Sequence, residues 1–477
     1  MKLPVPAAPA PDGLNSLWYE PKSVLELRSL ADDPVELAAD QFLMTNFEEW
    51  DSFIKELGLQ DDGDRKVPLA IGNNPLFYSP YESQLSHSPD SAHLFPPTAA
   101  DPTISDDCNV SLLDEGYLGF EFDYLDELIQ LADCFDVGAI QPAQMLLAQL
   151  NQKLFSAAGK PLRRAAFYFK EALQSQLISG GSTARESHVV KTIEAYKIFS
   201  NVSPVPMFSS FTANQSMLEA VDGSVIVHVV DFDIGFGCHW ASFMKELADK
   251  AESVHAKPPA LRITALVPDE YAAESNLIKE NLAQFARELK IGFVIEFVEV
   301  RTFELLSFKS VKFMDGEKIF VLLTPAIFRR VEVAPFAAEL RLISPHLVVN
   351  VEFEGTAGCG ASSFRQTVID GLMFFSSLLE SLEAANAGGD LVGKVENFVV
   401  VPKIEATVGS SGSNGMSWKE ALAAAGFRQV GLSQFSDFQA NCLVERMQIG
   451  GFHVAKRNAE MLLCWHDRAL VATSAWK

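Results

Sequence analysis

The chain has 477 residues, 48% of them hydrophobic and 21% charged, enough apolar content to bury a large core. Its formal net charge of −24 makes a field that repels a polyanion such as DNA, which excludes tight duplex binding without a local basic face; the pairs Arg163-Arg164 and Arg329-Arg330 are too short to make one. No apolar run is long enough to cross a bilayer, the opening M-K-L-P-V-P-A-A-P-A lacks a signal peptide's apolar stretch, and the six scattered cysteines contain no C-x-x-C pair, so an intracellular chain with reduced thiols and no zinc module is expected.

Residues 1–115 read as an acidic, mostly disordered arm. The first 120 residues hold 21 Asp and Glu against 6 Lys and Arg, and fragments such as N-N-P-L-F-Y-S-P-Y-E-S cannot propagate helix or sheet. One island differs. Phe47 leads into Trp50, Phe53, Ile54 and Leu57 at helical spacing, an apolar stripe flanked by acids that would fold in a partner's groove or dock back on its own domain. From 116 to 221 the signal is helical: Leu125, Leu128, Ile129 and Ala132 form one stripe, and Ile140, Ala143, Leu147, Leu150 and Leu154 a second. Pro142 is tolerable in a first turn. After the break at Gly159 to Pro161, Leu162, Ala165, Ala166, Phe169 and Leu173 form a third. Short helices separated by breakers predict a bundle rather than a coiled coil. Ser179 to Thr183 reads as a mobile linker, and Thr212 to Val221 as a helix.

Residues 222–477 alternate between strand and helix. Val225 to Val230 is apolar and β-branched except for His228, the pattern of a strand buried on both faces of a parallel sheet. It runs into Asp231 and Asp233, which a period of two places on one face, then a turn with Gly235 and Gly237. Trp240, Phe243, Met244, Leu247 and Ala251 then mark one face of a helix. Further strands are expected at Leu261 to Val267, Phe293 to Val300, Ile319 to Leu323, Leu347 to Phe353 and Phe398 to Val401. Ile278 to Leu289, Phe336 to Ile343 and Phe364 to Leu382 read as helices between them. Phe452 to Ala455, Glu460 to Trp465 and Ala469 to Trp476 read as a closing antiparallel hairpin. The fold class is therefore α/β: a methyltransferase-like, Rossmann-type, mostly parallel sheet ending in an antiparallel hairpin, with helices and an acidic arm before it.

The chemistry is sparse. No G-x-S-x-G and no phosphate-binding loop occurs, and the nine histidines are scattered, so hydrolase readings fail. His228 reads as a core histidine bonded to Asp231 or a backbone carbonyl, and the two aspartates as groups that hold the turn or cap the next helix. Asp233-x-Gly235-x-Gly237 resembles the first motif of S-adenosylmethionine-dependent methyltransferases, whose third glycine is here replaced by His239. The acid expected at the end of the second strand to hold a ribose is displaced to Asp269, after Pro268.

Val227, His228, Val229, Val230 and Asp231 resemble the V-H-I-I-D block of the GRAS family of plant transcriptional regulators, and the continuation through Asp233, Gly235, Gly237 and Trp240 is similar to its Hairy Meristem branch. Pro345, Phe374, Phe375 and the P-K-I-E of Pro402 to Glu405 resemble the family's P-F-Y-R-E region. Trp418, Gly426, Phe427, Leu463, Trp465, Ser474, Ala475 and Trp476 resemble its SAW region, while its arginine–glutamate element is matched only by Lys394 and Glu396. The resemblance covers roughly residues 116–477. It implies a helical cap at 116–221, the first leucine-rich region, on a Rossmann-like core at 222–477. It also implies a nuclear, non-enzymatic regulator without a cofactor or metal, whose partners are homeodomain or zinc-finger transcription factors and other GRAS proteins, with a role in meristem maintenance and DNA contacted mainly indirectly. The alternatives are a methyltransferase with a divergent motif and a direct DNA-binding transcription factor.

Overall fold

A computed structural model describes residues 123–179, 189–221, 223–268, 272–354, 363–409 and 416–477. The acidic arm with its stripe Phe47, Trp50, Phe53, Ile54 and Leu57, the linker from residue 180 on, and Asp269 lie outside them.

Among the described residues five helices come first: α1 (Asp123–Asp136), α2 (Ile140–Lys153), α3 (Pro161–Ser179), α4 (Val189–Val202) and α5 (Val205–Ala220). Pro161 opens α3 because a first-turn residue needs no backbone donor, and Pro206 sits in the first turn of α5 for the same reason. That placement lets α5 start well before the expected Thr212. On α1 the buried face is Tyr124, Leu128, Leu131 and Ala132, with Leu125 and Ile129 only half-buried. The helix carries apolar residues on more than one stripe, and tertiary packing selects among them. On α2, Ala143, Leu147 and Leu150 are buried as expected, but Ile140 is exposed at the start of the helix.

The α/β half follows as β1 (Ile226–Asp231), α6 (Cys238–Ser253), β2 (Ala260–Val267), α7 (Ala272–Glu288), β3 (Phe293–Glu299), α8 (Val300–Leu306), β4 (Lys318–Leu323), α9 (Val333–Leu342) and β5 (Leu347–Phe353). These strands pair in parallel in the order β3-β2-β1-β4-β5. β1 is central, and its side chains divide between two cores, which is why the run had to be apolar throughout. Val227 and Val229 pack with Trp240, Phe243, Leu247, Ile278 and Phe320 on one face. Val230 packs with Phe303, Val321, Phe336 and Trp418 on the other.

After β5 the chain forms α10 (Phe364–Ala384), α11 (Gly389–Val395), a π-helical turn (Glu396–Val400) and α12 (Val401–Val408), which return to the N-terminal helices. The strand expected at Phe398 to Val401 is helical instead. A four-residue apolar run does not distinguish a buried strand from a buried helix turn, and Pro402, damaging to a central strand, is harmless in the first turn of α12. Val399, Val400 and Ile404 are buried there. Gly371 on α10 gives Phe169 of α3 its place, since a Cβ at 371 would stand 2.5 Å from the ring.

The chain ends in α13 (Trp418–Ala424), β6 (Gln429–Val430), α14 (Gln434–Arg446), β7 (Phe452–Arg457), β8 (Glu460–Trp465) and β9 (Arg468–Trp476). β9 lies antiparallel to β5, with β8 and β7 outside it and β6 also paired to β9. The sheet is thus the expected Rossmann-type, methyltransferase-like one, mostly parallel and completed by antiparallel strands.

Candidate functional site

At the carboxyl end of β1 the chain must leave a fully buried strand and enter a helix within six residues. Asp231 makes this possible: one carboxylate oxygen accepts the Asp233 backbone N–H at 3.0 Å and the other accepts Trp240 Nε1–H at 2.8 Å. Asp231 is fully buried, and the two bonds tie the strand end to the first turn of α6. The strand stops at Asp231, so the alternation does not extend to Asp233. One acid therefore faces the core and the other faces outward.

Gly235 and Gly237 both have positive φ, +51° and +75°, in the left-handed region that favours glycine. Their surroundings differ. A Cβ on Gly237 would lie 3.1 Å from Ile278 and 3.2 Å from Leu282, so α7 packs directly on the bare backbone, whereas a Cβ on Gly235 would meet nothing within 4 Å.

Gly235 opens onto a cavity of about 360 Å³ that lies between the β1 loop, the last residue of β5 and the helices α4, α5 and α12. Tyr196, Phe199, Met207, Ile234, Phe236 and Phe353 give it apolar walls, and Asp233, His239, Lys197 and Lys403 bring charge to it. Among the described residues none from the end of β2 lines it, where a nucleoside cofactor would set its ribose. Solvent reaches Asp233 through the cavity, yet protein surrounds it closely, and this desolvation raises its carboxyl above the usual range; Lys403 opposes the rise and Asp231 adds to it. Lys403 Nζ lies 4.2 Å over the Phe353 ring. His239 stands where the resembled motif has its third glycine, its ring against Trp240 and its Nε2 3.5 Å from Asp231 Oδ2 without a hydrogen bond.

At the opposite, amino end of the strands, His228 is bonded neither to Asp231 nor to a carbonyl. Its Nδ1 lies 2.7 Å from Glu317 and its Nε2 2.9 Å from Thr264 Oγ1. Asp231, three residues on and so on the opposite face of the strand, is already committed to Trp240 and the Asp233 N–H. Glu317 also accepts the Met314 N–H at 2.9 Å and pairs with Arg262 at 3.2 Å, which reaches Glu296 at 2.9 Å. Burial holds the imidazole below its usual pKa despite Glu317, so the neutral ring donates from Nδ1 to the carboxylate and accepts the Thr264 hydroxyl.

The other residues singled out from sequence are spread through the fold rather than gathered at the cavity. Pro345 is buried in the turn before β5. Phe374 and Phe375 are buried on α10, Phe375 edge-on to Phe169 and Phe374 edge-on to Phe353. Trp418, at the start of α13, meets Trp476 of β9 edge-on at 6.0 Å, and Trp476 Nε1–H donates to Ser474 Oγ at 3.1 Å. Ala475 joins the core beside Val349, Leu463 is buried on β8, and Trp465 packs on Phe452 and donates to Glu380 at 3.3 Å. Glu396 accepts the Tyr168 hydroxyl at 2.7 Å and pairs with Arg164 at 3.2 Å. This arginine–glutamate pair joins α3 to the π turn, while Lys394 pairs with Glu194 of α4 at 2.5 Å. Neither Arg164 nor Lys403 carried a local sequence signal for its role, because their partners come from distant segments.

The comparisons with known proteins decide the class. The GRAS domain family model matches residues 124–477. The chain belongs to the GRAS family. It is 44% identical over 475 residues to Scarecrow-like protein 15 of Arabidopsis thaliana, covering 93% of this chain and 96% of that protein. It is 36% identical to Scarecrow-like protein 6 of the same plant, over 70% of this chain and 60% of that protein. The crystal structure of SCL7 in Oryza sativa superposes with a TM-score of 0.59 at 25% identity, covering 74% of this chain and 99% of that one. GRAS proteins are plant transcriptional regulators, and regulation of transcription is the general role of this chain. No helix among the described residues is long and apolar enough to cross a membrane.

Proposed function

We propose that this GRAS protein acts in the nucleus without catalysing a reaction, by holding other transcription factors on a Rossmann-type core whose cofactor loop has become structural. The observation that carries the reading is Gly237: Ile278 and Leu282 of α7 cover the bare backbone that a nucleoside cofactor would need, and His239 fills the third glycine position. Similarity along nearly the whole of Scarecrow-like protein 15, rather than across the core alone, supports it. In this reading Val227 to Asp231, the Trp418–Trp476 contact and Phe374-Phe375 serve to set the platform's shape. The acidic arm, through Trp50, Phe53, Ile54 and Leu57, recruits further proteins. Homeodomain transcription factors are the expected partners, zinc-finger factors and GRAS proteins further ones, with meristem maintenance as the setting and DNA reached through the partners.

Crosslinking mass spectrometry of the chain isolated from plant nuclei tests this directly. The expected result is crosslinks from residues 116–477 to transcription factors, together with no salt-dependent retardation of duplex DNA by the purified protein. Recovery of a methylated product in its presence would favour the enzyme reading, and strongly salt-dependent duplex binding the DNA-binding one.

A further inference from the structure

We propose that the cavity beside Gly235 is a binding site for a small carboxylic acid that carries an amino or hydroxyl group next to its carboxylate on a compact apolar body. The cavity's volume of about 360 Å³ falls within the range of small-molecule sites, which bury an apolar body among hydrophobic walls and orient it with a few polar groups. Its division of labour has that form. Phe199, Phe236, Met207 and Phe353 supply apolar lining for the body, and Asp233 and Lys403 bring opposite charges to the same cavity, near enough to act on one another.

Each of those two charges has a use for a ligand. Asp233 is a carboxylate at the solvent-reached wall of the cavity, where among the described residues the Gly235 N–H and the charges of Lys403 and His239 compensate it, and an incoming ammonium or hydroxyl donor would add a direct partner. Lys403 rests its ammonium on the Phe353 ring, a contact weaker than a charge-assisted hydrogen bond, so a carboxylate can draw it off the ring. Lys197 adds a second basic side chain to the lining.

The cavity's lining among the described residues suits a ligand shorter than an adenosyl cofactor. On the β2 side α7 packs on Gly237, and among the described residues the cavity is lined instead from the end of β5 and from α4 and α5. The site is independent of the regulator reading, since either can fail alone.

The test uses the full chain and four probes in calorimetric titrations: L-phenylalanine, 3-phenyllactate, 3-phenylpropionate and phenethylamine. The expected result is saturable binding of L-phenylalanine or 3-phenyllactate with Kd below about 1 mM, and at least about tenfold weaker binding of the two probes that lack one half of the head group. Binding of the amino acid identifies an ammonium donor, and binding of the hydroxy acid a hydroxyl. Asp233→Asn should cost about tenfold for the bound donor-bearing acid and leave 3-phenylpropionate unchanged, while Lys403→Met should weaken every acid. Circular dichroism of both variants confirms that they fold. The proposal is overturned if neither acid binds below about 1 mM, if 3-phenylpropionate binds as well as they do, or if both folded variants bind like the parent.

Discussion

The two ends of β1 carry the same kinds of side chain and treat them oppositely. At the amino end His228, Thr264, Glu317, Arg262 and Glu296 satisfy one another in a chain of bonds between 2.7 and 3.2 Å. At the carboxyl end Asp231 is likewise closed off, by Trp240, but Asp233, His239 and Lys403 face an open volume. A polar cluster whose valences are filled from within is scaffold, because any change leaves a buried group unpaired. One whose valences point into space is where a ligand or partner can act.

The sharpest way to break this comparison is Glu317→Ala. It leaves the Nδ1–H of His228 and the Met314 N–H unpaired and Arg262 with Glu296 alone, and should cost about 3–5 kcal/mol of unfolding free energy, read by urea denaturation.

Glu352 on β5 extends the comparison to a cluster that is crowded rather than satisfied. Burial lifts its carboxyl to about 7, with Glu354 and Glu460 adding to the rise and Lys419, 3.7 Å away, and Arg457 opposing it. The folded protein therefore holds this proton more tightly than the unfolded chain. The stability it contributes is complete below the unfolded pKa near 4.5 and is lost as pH rises through about 7. Glu352→Gln should accordingly gain on the parent by up to about 3 kcal/mol between pH 4 and pH 8, measured as the difference in unfolding free energy at each pH.

Trp240→Phe keeps most of the packing and removes the donor to Asp231. About 1–3 kcal/mol should be lost, with the melting temperature lowered. Asp233→Asn should be the mildest, within about 0.5 kcal/mol of the parent, and if anything stabilising at neutral pH, because it removes a carboxylate that desolvation disfavours. A large loss at Asp233, or a small one at Glu317, would erase the distinction between the two ends.

Much of this architecture could be read from the chain. The run Val227 to Val230 is covered by two layers as expected, although Val225, read as part of it, precedes the strand and is exposed, and the spacing of Trp240, Phe243, Met244, Leu247 and Ala251 gave the helix face that packs on the sheet. Where pattern and period agreed over a whole element, tertiary packing had nothing to override. Phe398 to Val401 was too short for period to decide, and burial in a helical turn demands the same residues as burial in a strand. The polar partnerships were beyond reach for a different reason. Glu317 meets His228, Glu396 meets Tyr168 and Lys403 meets Phe353 across long stretches of sequence, and only the tertiary fold brings them together. The glycines of the β1 turn were legible as backbone that needs positive φ, but which of them was covered and which lay open was set by α7.

That difference between Gly237 and Gly235 is the central claim, and titrating the purified full chain with S-adenosylmethionine tests it most directly. With α7 seated on Gly237 and His239 beside the loop, no saturable heat is expected up to about 1 mM cofactor. Binding in the micromolar range, lost in a Gly235→Val variant that still folds, would show that the nucleoside site survives and that the platform reading is wrong.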